Sequence, residues 1–310
     1  MTDFVAALPM YDWAETRAAT DAQWARLRDG LRAAGIAAPE RLTRRNADLP
    51  PVPGGISDAA GHVIAPDPAT LPPDGFDLPT LWRHPNLLFA QTCWGPLETT
   101  DLGSYVQVIG QPDYSDVDGG EGAFYSSAIV MRAHGGPSPV PSPRAGRGEG
   151  GAGIAASPLL PVLTGRRSRQ GDEGHVPAPA DGMPSLRLDL LRNTRLAFNS
   201  RDSMSGILAL TRDLEAAGES LGIFAERIET GAHRASVVAV AEGRADVATI
   251  DCRTWDLIQR FEPAAEAVTV VGWTRRRKGL PFIAAAGLPA ETTAVLRAAL
   301  ADWRTISPKA

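Results

Sequence analysis

The sequence predicts a two-lobed α/β fold, and three observations carry that reading. Apolar runs of strand length recur along the chain and alternate with stretches of helical spacing, the pattern of repeated β-α units. The chain has 310 residues, enough for two lobes with separate buried cores. Its composition, 44% hydrophobic and 22% charged, is that of an ordinary globular protein.

Taken in order, residues 4–10 (FVAALPM) read as a buried first strand. Thr20 and Gln23 fit a capping box, Trp24, Leu27, Leu31 and Ala34 recur at helical spacing, and Gly35 supplies a stop. Tyr11, Asp12 and Trp13 fall in the turn between strand and helix, at a strand's carboxyl end, where open α/β sheets bind ligands. Residues 48–79, rich in Pro, Gly and Asp, read as a long surface loop. A short helix over 78–83 leads to a strand at 87–91 (LLFAQ), which delivers Thr92, Cys93 and Trp94 to another strand end. Residues 105–109 (YVQVI) alternate like a strand, and Gly110, Gln111 and Pro112 read as a crossing to the second lobe.

The second lobe opens with a strand at 125–132 (YSSAIVMR). From 135 to 182 the chain turns to Pro, Gly, Ser and Arg, too little apolar surface to offset ordering entropy, so a disordered insert is expected there. Two β-α units follow: a strand at 195–199 with a helix at 206–217, and a strand at 224–228 with a helix at 233–242 closed by Gly243. Residues 245–250 (ADVATI) read as a buried strand ending at Asp251, 268–273 (VTVVGW) as the return crossing, and 282–286 as one more strand. The last helix is expected over 288–301, with Pro289 early in it. The lobes are thus expected at 1–105 with 272–310, and at 106–271.

Three turns carry candidate chemistry. Asn199-Ser200-Arg201-Asp202-Ser203-Met204-Ser205-Gly206 joins an apolar strand to a helix. Unpaired N–H groups and two serine hydroxyls there suit an oxyanion, and Gly206 admits close approach of a ligand to the backbone. The same residues also suit a plain helix cap. In Gly231-Ala232-His233-Arg234 the imidazole could donate to an anion and the guanidinium could add charge, or His233 could serve as a cap. Asp251 at a strand end could meet a ligand amine or hydroxyl, or cap a helix starting near Thr254. Among the aromatic residues, Tyr11 and Trp94 are expected to touch ligand, Tyr125 could add a hydroxyl, and Trp13 and Phe124 are expected to pack.

Several classes are disfavoured. The net charge of −5, with no long basic run, lacks the footprint of a nucleic-acid binder. No stretch approaches the roughly 20 apolar residues that span a bilayer, so no membrane insertion is expected. Met1-Thr2-Asp3-Phe4 has no positive n-region and no apolar h-region follows, so the chain as written reads as cytoplasmic. The two cysteines, Cys93 and Cys252, are expected as free thiols, and no zinc-spaced Cys/His cluster is present. GxxxxGK[ST] and HExxH are missing, so neither a cofactor nor a catalytic residue is expected.

Together, ALPMYDW, QTCWGPL, Tyr125-Ser126-Ser127, NSRDSMSG, GAHRASVVAVAEGRADVATID and the late VVGW strand resemble the phosphate/phosphite/phosphonate ABC-transporter substrate-binding family, over nearly the whole chain outside the insert. The resemblance implies a type 2 periplasmic-binding-protein fold with two chain crossings and ligand held in the cleft. It implies that Ser203, Ser205 and His233 hold an oxyanion, that Asp251 meets the organic end, and that Tyr11 and Trp94 close from the first lobe. It implies a periplasmic monomer that delivers a small phosphorus oxyanion to an ABC permease. A cytoplasmic ligand sensor and a biosynthetic enzyme on the same fold stand as alternatives.

Overall fold

The computed structural model describes residues 3–133 and 176–300. The chain opens with β1 (Val5–Ala7), fully buried, and α1 (Arg17–Ala33). The helix starts earlier than the Thr20–Gln23 box predicts. Thr16 precedes it, and the Thr16 hydroxyl donates to the carbonyls of Tyr11 (3.0 Å) and Trp13 (3.2 Å), fixing the β1–α1 turn. Thr20 lies inside the helix, its hydroxyl donating back to Thr16 O. Trp24, Leu27 and Leu31 form the buried face, and Gly35, at φ 83°, ends the helix.

The loop that follows carries a small hairpin, β2 (Ile56–Ser57) with β3 (Val63–Ala65), before α2 (Leu78–Arg83) and β4 (Leu87–Gln91). Asp77 caps α2 by accepting from Thr80 N at 2.9 Å. A helix not foreseen, α3 (Trp94–Thr99), comes next, then β5 (Val106–Gly110). The strand expected at 125–132 is two strands, β7 (Phe124–Tyr125) and β8 (Ser127–Arg132), preceded by β6 (Gly120–Glu121). After residue 175 come α4 (Leu188–Leu191), β9 (Arg195–Phe198), a one-turn π-helix (Met204–Leu208) and α5 (Ala209–Ala216). The chain finishes with β10 (Glu226–Glu229), α6 (His233–Ala241), β11 (Val247–Asp251), α7 (Cys252–Phe261), β12 (Val268–Trp273), β13 (Arg277–Lys278), β14 (Phe282–Ala285) and α8 (Ala290–Leu300).

Two sheets define two lobes. The first has the order β1-β4-β14-β5 and the second β10-β9-β11-β8-β12. The expected boundaries shift accordingly. β5 pairs with β14, so 106–110 belongs to the first sheet. Residues 268–273, expected as the return crossing, form the edge strand β12 of the second sheet, and the crossing follows them. The two connecting segments pair with each other through β13 and β7, at Arg277↔Tyr125 and Lys278↔Phe124. This pairing also places Tyr125 inward and Phe124 outward. Phe124 is exposed, against the expectation that it packs, because successive residues of a strand face opposite sides.

Most of the expected disordered insert, residues 135–175, lies outside the described residues. The remainder, 176–182, is docked on the second sheet despite its composition. Val176 N donates to Val270 O at 2.9 Å, and the Trp273 indole donates to Val176 O at 2.7 Å. An edge strand offers backbone partners to any sequence, so composition does not forbid that pairing.

Candidate functional site

A cleft of about 800 Å³ opens where the strand ends of both lobes meet. The first lobe contributes the β1–α1 turn, the start of α2 and the β4–α3 turn. The second contributes the turns before the π-helix and before α6, together with Asp251 and Thr254.

Ser203 caps the π-helix. Its Oγ accepts from Gly206 N at 3.0 Å, so the hydroxyl proton is left to donate into the cleft that Ser203 lines. Short π-helical turns recur at functional sites. Ser205 Oγ sits 2.9 Å from His233 Nε2, and the Tyr125 hydroxyl also reaches Ser205. His233 opens α6 and lines the cleft. Burial pushes its imidazole pKa down to about 4, opposed only by the Thr249 backbone, so the ring is neutral near pH 7. Asp251 is at once a cap and a cleft residue. Its Oδ1 accepts from Thr254 N at 2.9 Å, its Oδ2 accepts from the Tyr11 hydroxyl at 3.0 Å, and burial raises its pKa. Leu280 N donates to the Tyr114 hydroxyl (3.0 Å), which lies 3.2 Å from the Tyr11 hydroxyl. A hydrogen-bonded chain therefore runs from the crossing segment through two tyrosines to the α7 cap.

Ser203, Ser205, His233, Asp251 and Tyr11 thus all face one cleft. Four other expectations change. Gly206 does not line the cleft; a Cβ there would overlap Asn199 Oδ1 and lie 3.0 Å from Ser203 Oγ, so Gly206 makes room for the Asn199 carboxamide and not for a ligand. Trp94 turns away, its indole donating to Gly279 O at 2.7 Å on the return crossing. Tyr125 lies behind Ser205, stacked on Tyr114 at 5.4 Å between centroids. Trp13, expected to pack, lines the cleft beneath the Arg234 guanidinium, 4.8 Å from its ring centroid. The Arg234 charge is already matched, by Glu262 Oε2 at 2.7 Å and by Glu15 Oε1 at 3.0 Å across the cleft.

Sequence reasoning missed the wall opposite the serines. Met10, Phe76, Leu78, Pro79, Trp82 and Pro96 line it. Nothing local marks them, since four of the six come from a loop and short helix with no strand end nearby. Cys93, which lines the cleft, and buried Cys252 are both free; burial pushes the Cys93 thiol to about 11, so it is not a reactive thiolate. Among the described residues, no group of His, Cys, Asp or Glu is placed to hold a metal ion, and no helix is long and apolar enough to cross a membrane.

The cleft also shows how the lobes meet. Tyr11–Asp251 and Glu15–Arg234 cross it, Arg212 pairs with Glu98, and Met204 N donates to Cys93 Sγ at 3.4 Å. The two cross-cleft ion pairs are partly exposed, so each stabilises the approach by no more than about 1 kcal/mol.

The neutral His233 has a stability consequence. A histidine whose folded pKa is depressed contributes stability that is present above its unfolded pKa and lost as pH falls through the folded value. Between about pH 6.5 and about pH 4 the protein is therefore expected to lose up to about 3 kcal/mol through this residue. Urea midpoints of wild type and His233→Gln, measured across that window, check this. The difference between the two proteins should change with pH below 6.5 and be constant above it.

Two α/β lobes joined by two paired crossings, with a cleft between their strand ends, have the architecture of a ligand receptor. The chain belongs to the family of phosphonate periplasmic substrate-binding proteins of ABC transporters, whose model matches residues 116–308. That family consists of transport receptors, not enzymes. Among solved structures, PhnD1 from Prochlorococcus marinus in complex with methylphosphonate is similar at 14% identity, over 97% of this chain and 85% of that one, with a TM-score of 0.53. A phosphonate ABC-transporter binding component from Pseudomonas aeruginosa matches at 13% identity, over 96% and 74%, with a TM-score of 0.51. A Xanthomonas citri protein bound to ATP matches at 12% identity, over 97% and 82%, with a TM-score of 0.50. At these identities the likeness establishes the type 2 periplasmic-binding-protein fold. No curated protein sequence matches the chain significantly.

Proposed function

We propose that the chain captures a small phosphorus oxyanion of the phosphonate class in this cleft and delivers it, as a monomer, to an ABC permease. One observation carries the reading: in a chain of this family, the Ser203 and Ser205 hydroxyls and the His233 ring face one cleft at the start of helical turns. Helix starts present unpaired N–H groups, and hydroxyl donors complete a cradle for oxygens. The closing units are residues 3–110 with 282–300, and residues 127–133 with 176–273, with the β7–β13 pairing between them as hinge. Ligand shifts the open–closed equilibrium by its preference for the closed form.

Calorimetric titration with methylphosphonate tests the assignment. Ser203→Ala and Ser205→Ala should each weaken binding by about 1.5–3 kcal/mol, the usual loss of a hydrogen bond to a charged group. Unchanged affinity in both variants would place the oxyanion elsewhere.

A further inference from the structure

Resting on that reading, we propose that the ligand's organic part is ring-sized and apolar, an aryl or benzyl phosphonate in chemical class, not a substituent as small as methyl. Two observations lead there. The cleft holds about 800 Å³, in the range of pockets that enclose ligands far larger than a methylphosphonate. Its first-lobe wall, facing the hydroxyl cradle, is built from Met10, Phe76, Leu78, Pro79, Trp82 and Pro96. A one-carbon substituent leaves that wall against water; a ring covers it.

Charge points the same way. Arg234 is the one Lys or Arg lining the cleft among the described residues, and Glu15 and Glu262 already neutralise it. Glu15, Asp77, Asp202 and Asp251 line the same space. The head group therefore meets hydroxyls, N–H groups and a neutral imidazole, with no spare cation to draw it in. Much of the affinity then has to come from burying the organic body, which is what the opposite wall provides. Phe76 and Leu78 are partly exposed on the loop and first turn leading into α2, so both side chains retain surface for a ligand to cover.

The experiment titrates the full chain with methylphosphonate and with benzylphosphonate by calorimetry, in wild type, Phe76→Ala and Leu78→Ala. Each variant's ligand-free melting temperature reports whether it folds. Benzylphosphonate should bind wild type at least about 10-fold more tightly, the effect of burying roughly one ring face. Phe76→Ala and Leu78→Ala should each weaken benzylphosphonate more than methylphosphonate, erasing most of that advantage. Equal or tighter binding of methylphosphonate overturns this inference and leaves the phosphonate reading intact. Failure of both compounds to bind the folded protein overturns the phosphonate reading itself. The wild-type comparison stands even if a variant does not fold.

Discussion

Gly95→Ala is expected to lower ligand affinity by about 100-fold while leaving the unliganded protein as stable as wild type. Gly95 lies in the first turn of α3, on the first lobe, and is buried against the second. A Cβ built there would overlap the carbonyl oxygen of Asp202, fall 2.7 Å from its carbonyl carbon, and lie 3.2 Å from Met204 N. All three atoms are backbone, so no side chain can swing aside. Within its own lobe, alanine is the better helix former. The clash arises only when the lobes approach, so the substitution penalises the closed form alone. Overpacking of this kind costs up to about 3 kcal/mol, and a ligand that needs the closed form loses apparent affinity in proportion. Calorimetry gives the affinity, and small-angle scattering should show a wild-type radius of gyration that shrinks with ligand and a Gly95→Ala radius that does not. Wild-type affinity in this variant would mean that the Gly95–Asp202 approach is no part of the bound state.

Asp251→Ala is expected to destabilise the protein by about 2–4 kcal/mol. It removes the acceptor for Thr254 N at the start of α7 and the acceptor for the Tyr11 hydroxyl at the end of the tyrosine chain. Loss of a cap costs about 1 kcal/mol, and a buried donor left without a partner about 1–3 kcal/mol more. Asp251→Asn should be much milder. Its oxygen still accepts from Thr254 N, and Tyr11 can accept from the new amide. The sign of the pH effect tests the buried carboxyl itself. Burial raises the Asp251 pKa above its unfolded value. A group shifted this way favours the fold most when protonated, below its unfolded pKa, and that contribution is lost as pH rises through the folded pKa. The asparagine variant carries no such charge, so its deficit relative to wild type should narrow as pH climbs from the ordinary aspartate range to neutrality. Urea midpoints at several pH values measure both effects. A deficit for Asp251→Ala below about 1 kcal/mol would mean that the chain through Tyr11 and Tyr114 carries no load.

The legible parts of the molecule were those fixed by local spacing. The strand at 87–91 and the helix at 78–83 match their predicted bounds, because an unbroken apolar run and an Asp-Leu-Pro helix start each depend only on near neighbours. The turns holding Ser203, Ser205, His233 and Asp251 were visible for the same reason: each follows a strand and precedes a helix. Pairing partners were not visible. Nothing in YVQVI says that it joins β14 across more than 170 residues of chain, and nothing in VTVVGW says that it pairs with β8 before the chain crosses back. The exchanged roles of Trp13 and Trp94 have a similar cause. Which indole faces the cleft is decided by partners far away in sequence, Arg234 for one and Gly279 for the other. Arg234 itself looks like a ligand-binding cation until Glu15 and Glu262 are seen beside it.

The central claim, that this cleft binds a phosphorus oxyanion, is tested most directly by titrating the purified chain with methylphosphonate, benzylphosphonate and phosphate, with sulfate as the control, and following the melting temperature. A ligand that binds only the folded form stabilises it by about 2.7 kcal/mol at a hundredfold excess over its dissociation constant. The account predicts a rise with at least one phosphonate, no rise with sulfate, and loss of the rise in Ser203→Ala. A rise with sulfate equal to that with phosphonates, or no rise with any phosphorus compound in a cooperatively melting sample, would contradict it.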